Sequence, residues 1–407
     1  MQASSSITIS NCDKRLASLP EHNSSHSQHS QIAIYGLSSE GYQIASKLAA
    51  KGYDVCIIDE TLGTAMVLRP EVASDHRELW SLLEDETLLA IRPSKDCISK
   101  SRAVFFTPKL RRNEEDLIAE VKSRIADLSK SISPGTLLVF CVPVGIAGTK
   151  EMIDRVEHAS GLTHRKDFLF SYAPLEGGKP SVFGCDQDLG DHFGVVEAAG
   201  FSMEIFALQK AELVHAQRIA TKYSNLGSTL EVAKRLTQMG FESPREYKQI
   251  YADDLSSSLY DLRLVAESLE PGDPMLYLAS GSLKSIDSYS RFLVDRIREL
   301  VRVKELKASR LRILLFTDTD TLEIRGDRLN LAHTITDKLR DFFSDIEYLN
   351  IMKEGFTPPV GIEKTNLLIF LSGSSEQKIM QLYEEQISMT RSHMIRANLP
   401  VEFVEKE

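Results

Sequence analysis

A short apolar run that ends on glycine and leads into a helical pattern constrains this fold more than any other feature. Residues 31–36 form the run, and residues 40–51 have the spacing of apolar side chains that is typical of an amphipathic helix. A second apolar run follows at residues 54–59. The order strand, turn, helix and strand predicts a βαβ unit whose two strands are parallel.

The turn of this unit resembles a dinucleotide-binding turn, because Gly36 and Gly41 hold its first and third glycine positions, while Ser38 stands in the middle position. The middle glycine normally lets backbone approach a pyrophosphate at the helix N-terminus. Asp59 ends the second strand, where a carboxylate accepts hydrogen bonds from ribose hydroxyls and favours NAD over NADP. Glu40 counts against binding, since its charge would repel phosphate. The pattern predicts either an NAD site or a Rossmann shell whose site is vestigial.

The rest of the chain divides into four segments by composition and periodicity. Residues 1–29 are rich in Ser, His, Asn and Gln, which predicts a disordered tail. Alternating apolar runs and amphipathic segments predict a doubly wound, Rossmann-like domain over 30–205. A helical pattern without a convincing strand predicts an all-helical region over 206–306, and the alternation returns in a smaller Rossmann-like α/β domain over 307–407. The expected fold class is α/β.

Charge and cysteine usage exclude several classes of protein. The net charge of −10 argues against a dedicated nucleic-acid-binding protein, which needs a clustered basic surface. No apolar stretch approaches the ~20 residues that span a bilayer, and the N-terminus lacks a secretion signal, so we expect a cytoplasmic protein without membrane contact. The 5 cysteines are odd in number and widely spaced, which predicts free thiols and no metal site.

Several short motifs occur in the order in which one known family carries them. In chain order they are a Thr-Pro pair (Thr107-Pro108), two strand-and-loop motifs (133–136 and 141–145), a segment that ends in Tyr-Ala-Pro-Leu-Glu (167–176), the opening of a long helix (211–219), and two later segments (281–287 and 321–325). In these motifs the chain resembles the UDP-glucose/GDP-mannose dehydrogenase family over roughly residues 31–400. The resemblance implies NAD as cofactor, a nucleotide sugar as substrate, and a central helix that pairs two subunits in a homodimer.

The resemblance also implies the binding residues. Thr107 and Pro108 would lie beside the cofactor, together with Cys141, where the family usually has threonine. Gly281 and Arg325 would contact the nucleotide sugar. Arginine at this place reaches the sugar nucleotide from a neighbouring subunit in the family, although Arg325 could equally be a surface residue.

The catalytic positions of the family are changed in this chain. Its lysine and asparagine, which stabilise negative charge on the reacting oxygen, correspond to His215 and Ile219. Isoleucine donates no hydrogen bond, and histidine supplies at best a partial charge, which favours a structural role for His215. Leu283 stands where the family has its nucleophilic cysteine, and no cysteine follows Cys185. Asp287 is retained.

Two functions are compatible with these changes. The first is a pseudoenzyme, an NAD-binding scaffold or cofactor sensor that acts through its conformation or through an unknown protein partner. The alternative is an active NAD-dependent oxidoreductase acting on a CH–OH group of a nucleotide sugar or related substrate, with His215 as base and no need for a thiol. A dehydrogenase that oxidises its substrate twice would require a different alignment at Leu283.

Overall fold

The computed structural model describes residues 31–76, 78–84, 90–110, 117–201, 204–352, 364–388, 392–399 and 401–403. The tail predicted over residues 1–29 lies outside these ranges. No helix in the described ranges is long and apolar enough to cross a membrane.

The amino-terminal part is a sheet with helices packed against it. In chain order its elements are β1 (Gln31–Tyr35), α1 (Ser39–Ala50), β2 (Asp54–Asp59), β3 (Thr64–Leu68), α2 (Pro70–Asp75), α3 (Leu79–Glu84), β4 (Ala90–Pro93), α4 (Ser94–Lys100), β5 (Ala103–Phe106), α5 (Leu117–Ser129), β6 (Thr136–Phe140), α6 (Gly148–Ser160), β7 (Phe168–Tyr172), β8 (Leu175–Glu176), β9 (Lys179–Pro180), β10 (Phe183–Cys185), α7 (Phe193–Ala198) and β11 (Ile205–Phe206).

This sheet has the strand order β11-β10-β7-β6-β5-β1-β2-β3-β4 across the described residues. Strands β2, β1, β5, β6 and β7 are parallel, as the βαβ pattern predicts. Strands β3 and β4 run antiparallel to their neighbours, and β10 runs antiparallel to β7 but parallel to β11. The chain order reverses direction at β1, which has β2 on one side and β5 on the other. Ligands of open α/β sheets bind at the carboxyl ends of strands at such a switch point. The glycine turn after β1 therefore lies where a ligand is expected.

Three helices follow the sheet: α8 (Leu208–Met239), α9 (Leu259–Glu267) and α10 (Pro274–Val303). Short 3₁₀ turns lie between α8 and α9, at Arg245–Gln249 and Ala252–Leu255. Gly240 ends α8 with a φ of 73°, a left-handed conformation that glycine adopts without strain. Asp273 caps α10, because its carboxylate accepts a hydrogen bond from the Met275 N–H at 2.8 Å, and Pro274 fills the first helical position.

The carboxyl-terminal part is a second, smaller sheet with helices. Its elements are β12 (Leu311–Thr317), α11 (Asp327–Arg340), β13 (Ile346–Asn350), β14 (Thr365–Phe370), α12 (Gly373–Ser388), β15 (Ser392–Arg396) and β16 (Glu402–Phe403), in the order β13-β12-β14-β15-β16. Alternate residues of β12 enter different cores: Ile313 and Leu315 join the core of the central helices, whereas Leu314 and Phe316 join the opposite core. Both faces of this sheet are therefore covered, as the continuous apolar run predicts.

The fold class predicted from the sequence is confirmed. It is α/β, with an amino-terminal Rossmann-like sheet, central helices and a smaller carboxyl-terminal α/β unit. The first hydrophobic core is built mainly from the amino-terminal sheet, but it also contains Tyr260 and Leu264 of α9 and Ile324, which precedes α11. The segment that leads into α11 therefore packs directly onto the amino-terminal part of the chain.

Candidate functional site

The turn after β1 is closely packed against the loop that follows β5. Gly36 has a φ of 121°, and its N–H donates to the Ile58 carbonyl at 3.1 Å. A Cβ on Gly36 would lie 2.4 Å from the Thr107 carbonyl oxygen and 2.5 Å from Cα of Pro108. Only glycine fits at this position, for its conformation and for the space around it. The structure thus brings Thr107 and Pro108 to the glycine turn.

Ser38, in the middle position of the turn, caps helix α1. Its side chain is fully buried, its hydroxyl donates to the Thr107 carbonyl at 2.8 Å, and it accepts from the Gly41 N–H at 3.1 Å. A Cβ on Gly41 would lie 2.5 Å from Oγ1 of Thr107. The serine that replaces glycine therefore satisfies one of the N–H groups that a helix N-terminus offers to an anion.

The Glu60 carboxylate occupies the outer side of the same turn. It accepts hydrogen bonds from the backbone N–H groups of Leu37 at 3.2 Å and Lys109 at 3.3 Å. The Arg124 guanidinium lies 2.5 Å from Oε1 of Glu60 and holds the carboxylate in place. An internal carboxylate thus binds a turn N–H that a phosphate oxygen would otherwise use.

The segment before α11 covers the start of helix α1. The Ser39 N–H donates to the Leu322 carbonyl at 2.9 Å, and the Ile324 N–H donates to the Glu40 carboxylate at 3.0 Å. The Leu110 N–H donates to the Ile324 carbonyl at 2.9 Å. Burial raises the pKa of Glu40. Glu40 thus accepts an N–H group from the carboxyl-terminal part of the chain.

Asp59 and Cys141, also predicted to face the cofactor, have local roles in this structure. One Asp59 oxygen accepts from the N–H groups of Thr61 at 2.8 Å and Leu62 at 3.0 Å, which closes the turn after β2. Cys141 directly follows β6 and is fully buried, and this burial raises the pKa of its thiol.

These contacts test whether the turn fits a dinucleotide. A pyrophosphate bound there needs free N–H groups at the helix N-terminus. Those of Leu37, Ser39 and Gly41 instead donate to Glu60, the Leu322 carbonyl and the Ser38 hydroxyl. In this arrangement the turn does not accommodate a pyrophosphate unless Glu60 and the segment before α11 move away.

A buried polar network lies where the central helices meet the two α/β parts. The two ring nitrogens of His215 on α8 contact the Ser181 hydroxyl at 2.8 Å and the Asp261 carboxylate at 3.1 Å. Arg325 binds the same carboxylate through Nε at 2.5 Å and Nη2 at 2.8 Å. His215 is 3% exposed and Arg325 is 5% exposed, so Arg325 is not a surface residue.

The Asp261–Arg325 pair stays ionised in this network. Burial alone would raise the pKa of Asp261, but the Arg325 guanidinium and the hydrogen bond from His215 lower it to about 2. Burial acts against the charge of Arg325, and the Asp261 carboxylate raises the pKa of Arg325 above its usual range. Sequence reasoning missed Asp261 and Ser181. The one available signal was an acid within the apolar helical pattern of α9.

The positions of the family's asparagine and cysteine are apolar in the structure as well. Ile219 is buried in the core of the central helices, and Leu283 packs against the same core. Gly281 lies on an exposed turn of the 30-residue helix α10. The described cysteines are free and buried, and all precede the central helices: Cys56, Cys97, Cys141 and Cys185. Among the described residues, no three His, Cys, Asp or Glu side chains are grouped to hold a metal ion.

A cavity of about 160 Å³ lies between α9, α10 and α11, and Asp287 lines it. Three cationic side chains share this lining, Arg263, Arg291 and Lys338. Burial, followed by repulsion from Arg291, lowers the pKa of Lys338. The carboxylates of Asp287 and Asp327 balance two of the three positive charges, so the lining keeps one cation in excess that an anion could neutralise.

A second polar pair lies at the edge of the buried network, and it contains Glu176, the acid that ends the Tyr-Ala-Pro-Leu-Glu segment. Lys222 on α8 contacts the Glu176 carboxylate of β8 at 2.6 Å and the hydroxyls of Ser257 at 3.0 Å and Ser258 at 3.4 Å. Burial acts against ionisation of Glu176, but the Lys222 ammonium lowers the pKa of Glu176. The side chains of Lys222 and Glu176 are 34% and 41% exposed, so solvent reaches this pair.

The fold is similar to that of solved nucleotide-sugar dehydrogenases. The UDP-D-ManNAc dehydrogenase from Pyrococcus horikoshii superposes with a TM-score of 0.62 at 16% identity, covering 90% of this chain and 95% of that one. The UDP-glucose dehydrogenase from Pyrobaculum islandicum gives 0.56 at 14% identity, covering 93% and 91%. No family model matches the sequence, and no curated protein is similar to it in sequence. At these identities the likeness shows a shared fold.

Proposed function

We propose that this chain is an NAD-binding protein with the fold of a nucleotide-sugar dehydrogenase that no longer carries out the thiol-dependent oxidation. In this proposal it acts as a cofactor sensor or scaffold. The observation that carries the proposal is Leu283, a packed apolar side chain at the position where the family resemblance places the nucleophile. NAD enters the proposal from the Rossmann-like sheet and from the dehydrogenases that share the fold.

The chemistry of the second oxidation explains why Leu283 is decisive. A thiolate attacks the aldehyde because sulfur is nucleophilic at neutral pH, and the adduct then loses hydride. Leucine has no lone pair that could form this bond. The neighbouring charge-stabilising positions are changed as well, since Ile219 is apolar and both ring nitrogens of His215 already have partners. When several groups act together in catalysis, the loss of even one of them commonly lowers the rate by several powers of ten.

The cavity of about 160 Å³ beside Asp287 is our candidate for the site of the phosphates of a nucleotide sugar, since it is smaller than the roughly 300–1,000 Å³ that a whole ligand occupies. Its lining holds three cations, Arg263, Arg291 and Lys338, against the two carboxylates of Asp287 and Asp327, and this excess of positive charge favours a phosphate group. We propose that the ligand is held there through its phosphates without being oxidised. None of the residues that line this cavity belongs to the glycine turn, so the binding of NAD and of the sugar nucleotide can be measured independently.

We also propose a cytoplasmic homodimer that forms through the central helices. Large apolar side chains are exposed along α8, among them Leu213 at 54%, Val232 at 45% and Met239 at 69%. A second copy of the chain would cover such side chains. Analytical ultracentrifugation should give twice the monomer mass, and Val232→Glu should shift the protein towards the monomer. A monomeric wild-type protein would contradict this part of the proposal.

Titration calorimetry tests the binding part of the proposal. The purified protein would be titrated with NAD and NADH, and separately with UDP-glucose and GDP-mannose. We expect binding of NAD, and binding of a sugar nucleotide that weakens at least about tenfold in Arg263→Ala, since a charge-assisted phosphate contact contributes on that order. Lys130→Ala, which removes an exposed charge elsewhere, is the matched control. If no nucleotide binds, the proposal fails and a protein partner becomes the first candidate ligand.

An active oxidoreductase is the second candidate function, and the Lys222–Glu176 pair favours it. The ammonium of Lys222 could stabilise negative charge on a substrate oxygen, and the Glu176 carboxylate could accept a proton, since solvent reaches both groups. His215 is less suited to act as base, because Asp261 and Ser181 engage both of its nitrogens. NADH formation that is lost in Lys222→Ala but kept in Lys130→Ala would establish this function and refute the pseudoenzyme.

A further inference from the structure

Three backbone N–H groups at the glycine turn are bound by the chain itself. Leu37 donates to the Glu60 carboxylate, Ser39 donates to the Leu322 carbonyl, and Gly41 donates to the Ser38 hydroxyl. The partner of the Gly41 N–H is local, because Ser38 is the N-cap residue of the helix that contains Gly41. The partners of Leu37 and Ser39 come instead from a different strand end and from the carboxyl-terminal part of the chain.

We propose that Glu60 and the segment 322–325 form an internal latch that closes the phosphate end of the dinucleotide turn. This inference rests on the proposed function, because the latch and the pyrophosphate of NAD compete for the same N–H groups. The Glu60 carboxylate accepts the hydrogen bond of the Leu37 N–H that a phosphate oxygen of the bound cofactor would accept. The Leu322 carbonyl covers Ser39 N, at the first turn of α1.

The positive charge of Arg124 favours the replacement of the latch by an anionic ligand. Its guanidinium binds the Glu60 carboxylate through Nη1 at 2.5 Å and the Glu120 carboxylate through Nη2 at 2.5 Å. When Glu60 leaves the turn, Arg124 becomes available to an incoming phosphate. The negative charge of the pyrophosphate then replaces that of Glu60, so Arg124 and the N–H groups of the turn keep a negatively charged partner.

The segment is held to two parts of the chain at once. Ile324 is fully buried in the amino-terminal core, and its N–H donates to Glu40 of α1. The next residue, Arg325, is paired with Asp261 of the central helices. Asp327, two residues further on, accepts from the Tyr260 N–H at 2.9 Å and begins α11. Opening the latch therefore requires Leu322 to move away from the Ser39 N–H of α1, while Arg325 and Asp327 remain as anchors.

The cleanest perturbation is Glu60→Ala, which removes the carboxylate from Leu37 N without changing the turn. Hydrogen exchange of the peptide that contains residues 37–41, measured without NAD, should show protected amides in the wild-type protein and faster exchange in Glu60→Ala. Glu71→Ala is the control, since Glu71 is an exposed glutamate of α2. Glu60→Gln keeps a hydrogen-bond acceptor and loses the charge, so it provides a second variant if the alanine variant folds poorly.

Calorimetric titration with NAD then measures the competition. Removing the internal competitor should tighten NAD binding by about tenfold in Glu60→Ala, with an intermediate effect in Glu60→Gln and none in Glu71→Ala. Equal affinities in all four proteins, or rapid amide exchange in the wild type, would overturn the latch. If no protein binds NAD while exchange at 37–41 still depends on Glu60, the proposed cofactor fails and the internal closure of the turn stands.

Discussion

Replacing Asp261 by asparagine should destabilise the protein strongly, because it removes the carboxylate that binds the buried Arg325 guanidinium and the largest opposite charge near it. Asp261 is 1% exposed and Arg325 is 5% exposed, and the two side chains share two hydrogen bonds. Breaking a buried pair by removing one partner costs about 3–5 kcal/mol. His215 also loses a charged acceptor. Since domains are stable by only about 5–15 kcal/mol in total, this is a large fraction of the stability.

The thermal unfolding midpoint, measured by circular dichroism, should fall in Asp261→Asn by on the order of 5–10 °C for a chain of this size. The matched control is Asp127→Asn, which removes a carboxylate from a pair with Lys130 in which both side chains are well exposed, at 62% and 63%. Such surface pairs contribute about 0–1 kcal/mol. The double variant Asp261→Leu/Arg325→Met should recover most of the loss. Equal midpoints for the two asparagine variants would refute the reasoning.

Three further predictions concern the rest of the chain. Burial raises the pKa values of Glu323 and Asp253 to about 7, so in the folded state both keep a proton at pH values where the unfolded chain has lost it. Their stabilising effect is complete below their ordinary pKa values of roughly 4 and is lost as the pH rises through 7. The unfolding midpoint should therefore fall between about pH 4 and 7, and less so in Glu323→Gln. Gly36→Ala should destabilise the protein by at least about 2 kcal/mol in urea unfolding, and more than Gly52→Ala, since both glycines have positive φ but only Gly36 has backbone atoms around the added Cβ. Thiol reagents should not label Cys141 in the folded protein, whereas labelling before unfolding would contradict its burial.

Periodicity was sufficient to predict the architecture. The apolar run at the start of β12 was recognisable as a buried strand, because both faces of that strand are covered. The turn between β1 and α1 was recognisable from Gly36 and Gly41, whose close contacts require glycine. Antiparallel β3 and β4 were not predicted, since the direction of a strand depends on the length and path of its connection and leaves no signal in its own pattern.

The contacts of the candidate site could not be predicted in the same way. Asp261 lies 46 residues from His215 and 64 residues from Arg325, and no local pattern relates them. Glu60 follows a strand like many surface acids, and its place at Leu37 N depends on the folded position of the turn. The resemblance also did not indicate the surroundings of Gly281: this glycine lies inside α10, because the helix-forming residues before it extend the helix through this position.

The loss of thiol-dependent oxidation is the central claim, and the formation of NADH tests it most directly. We would incubate the purified protein with NAD and either UDP-glucose or GDP-mannose, and follow NADH over time. The predicted result is no NADH above the enzyme-free background, with Leu283 in place of the nucleophile. Formation of two NADH per sugar nucleotide would contradict the claim, because the second oxidation requires a nucleophile that the leucine side chain cannot supply.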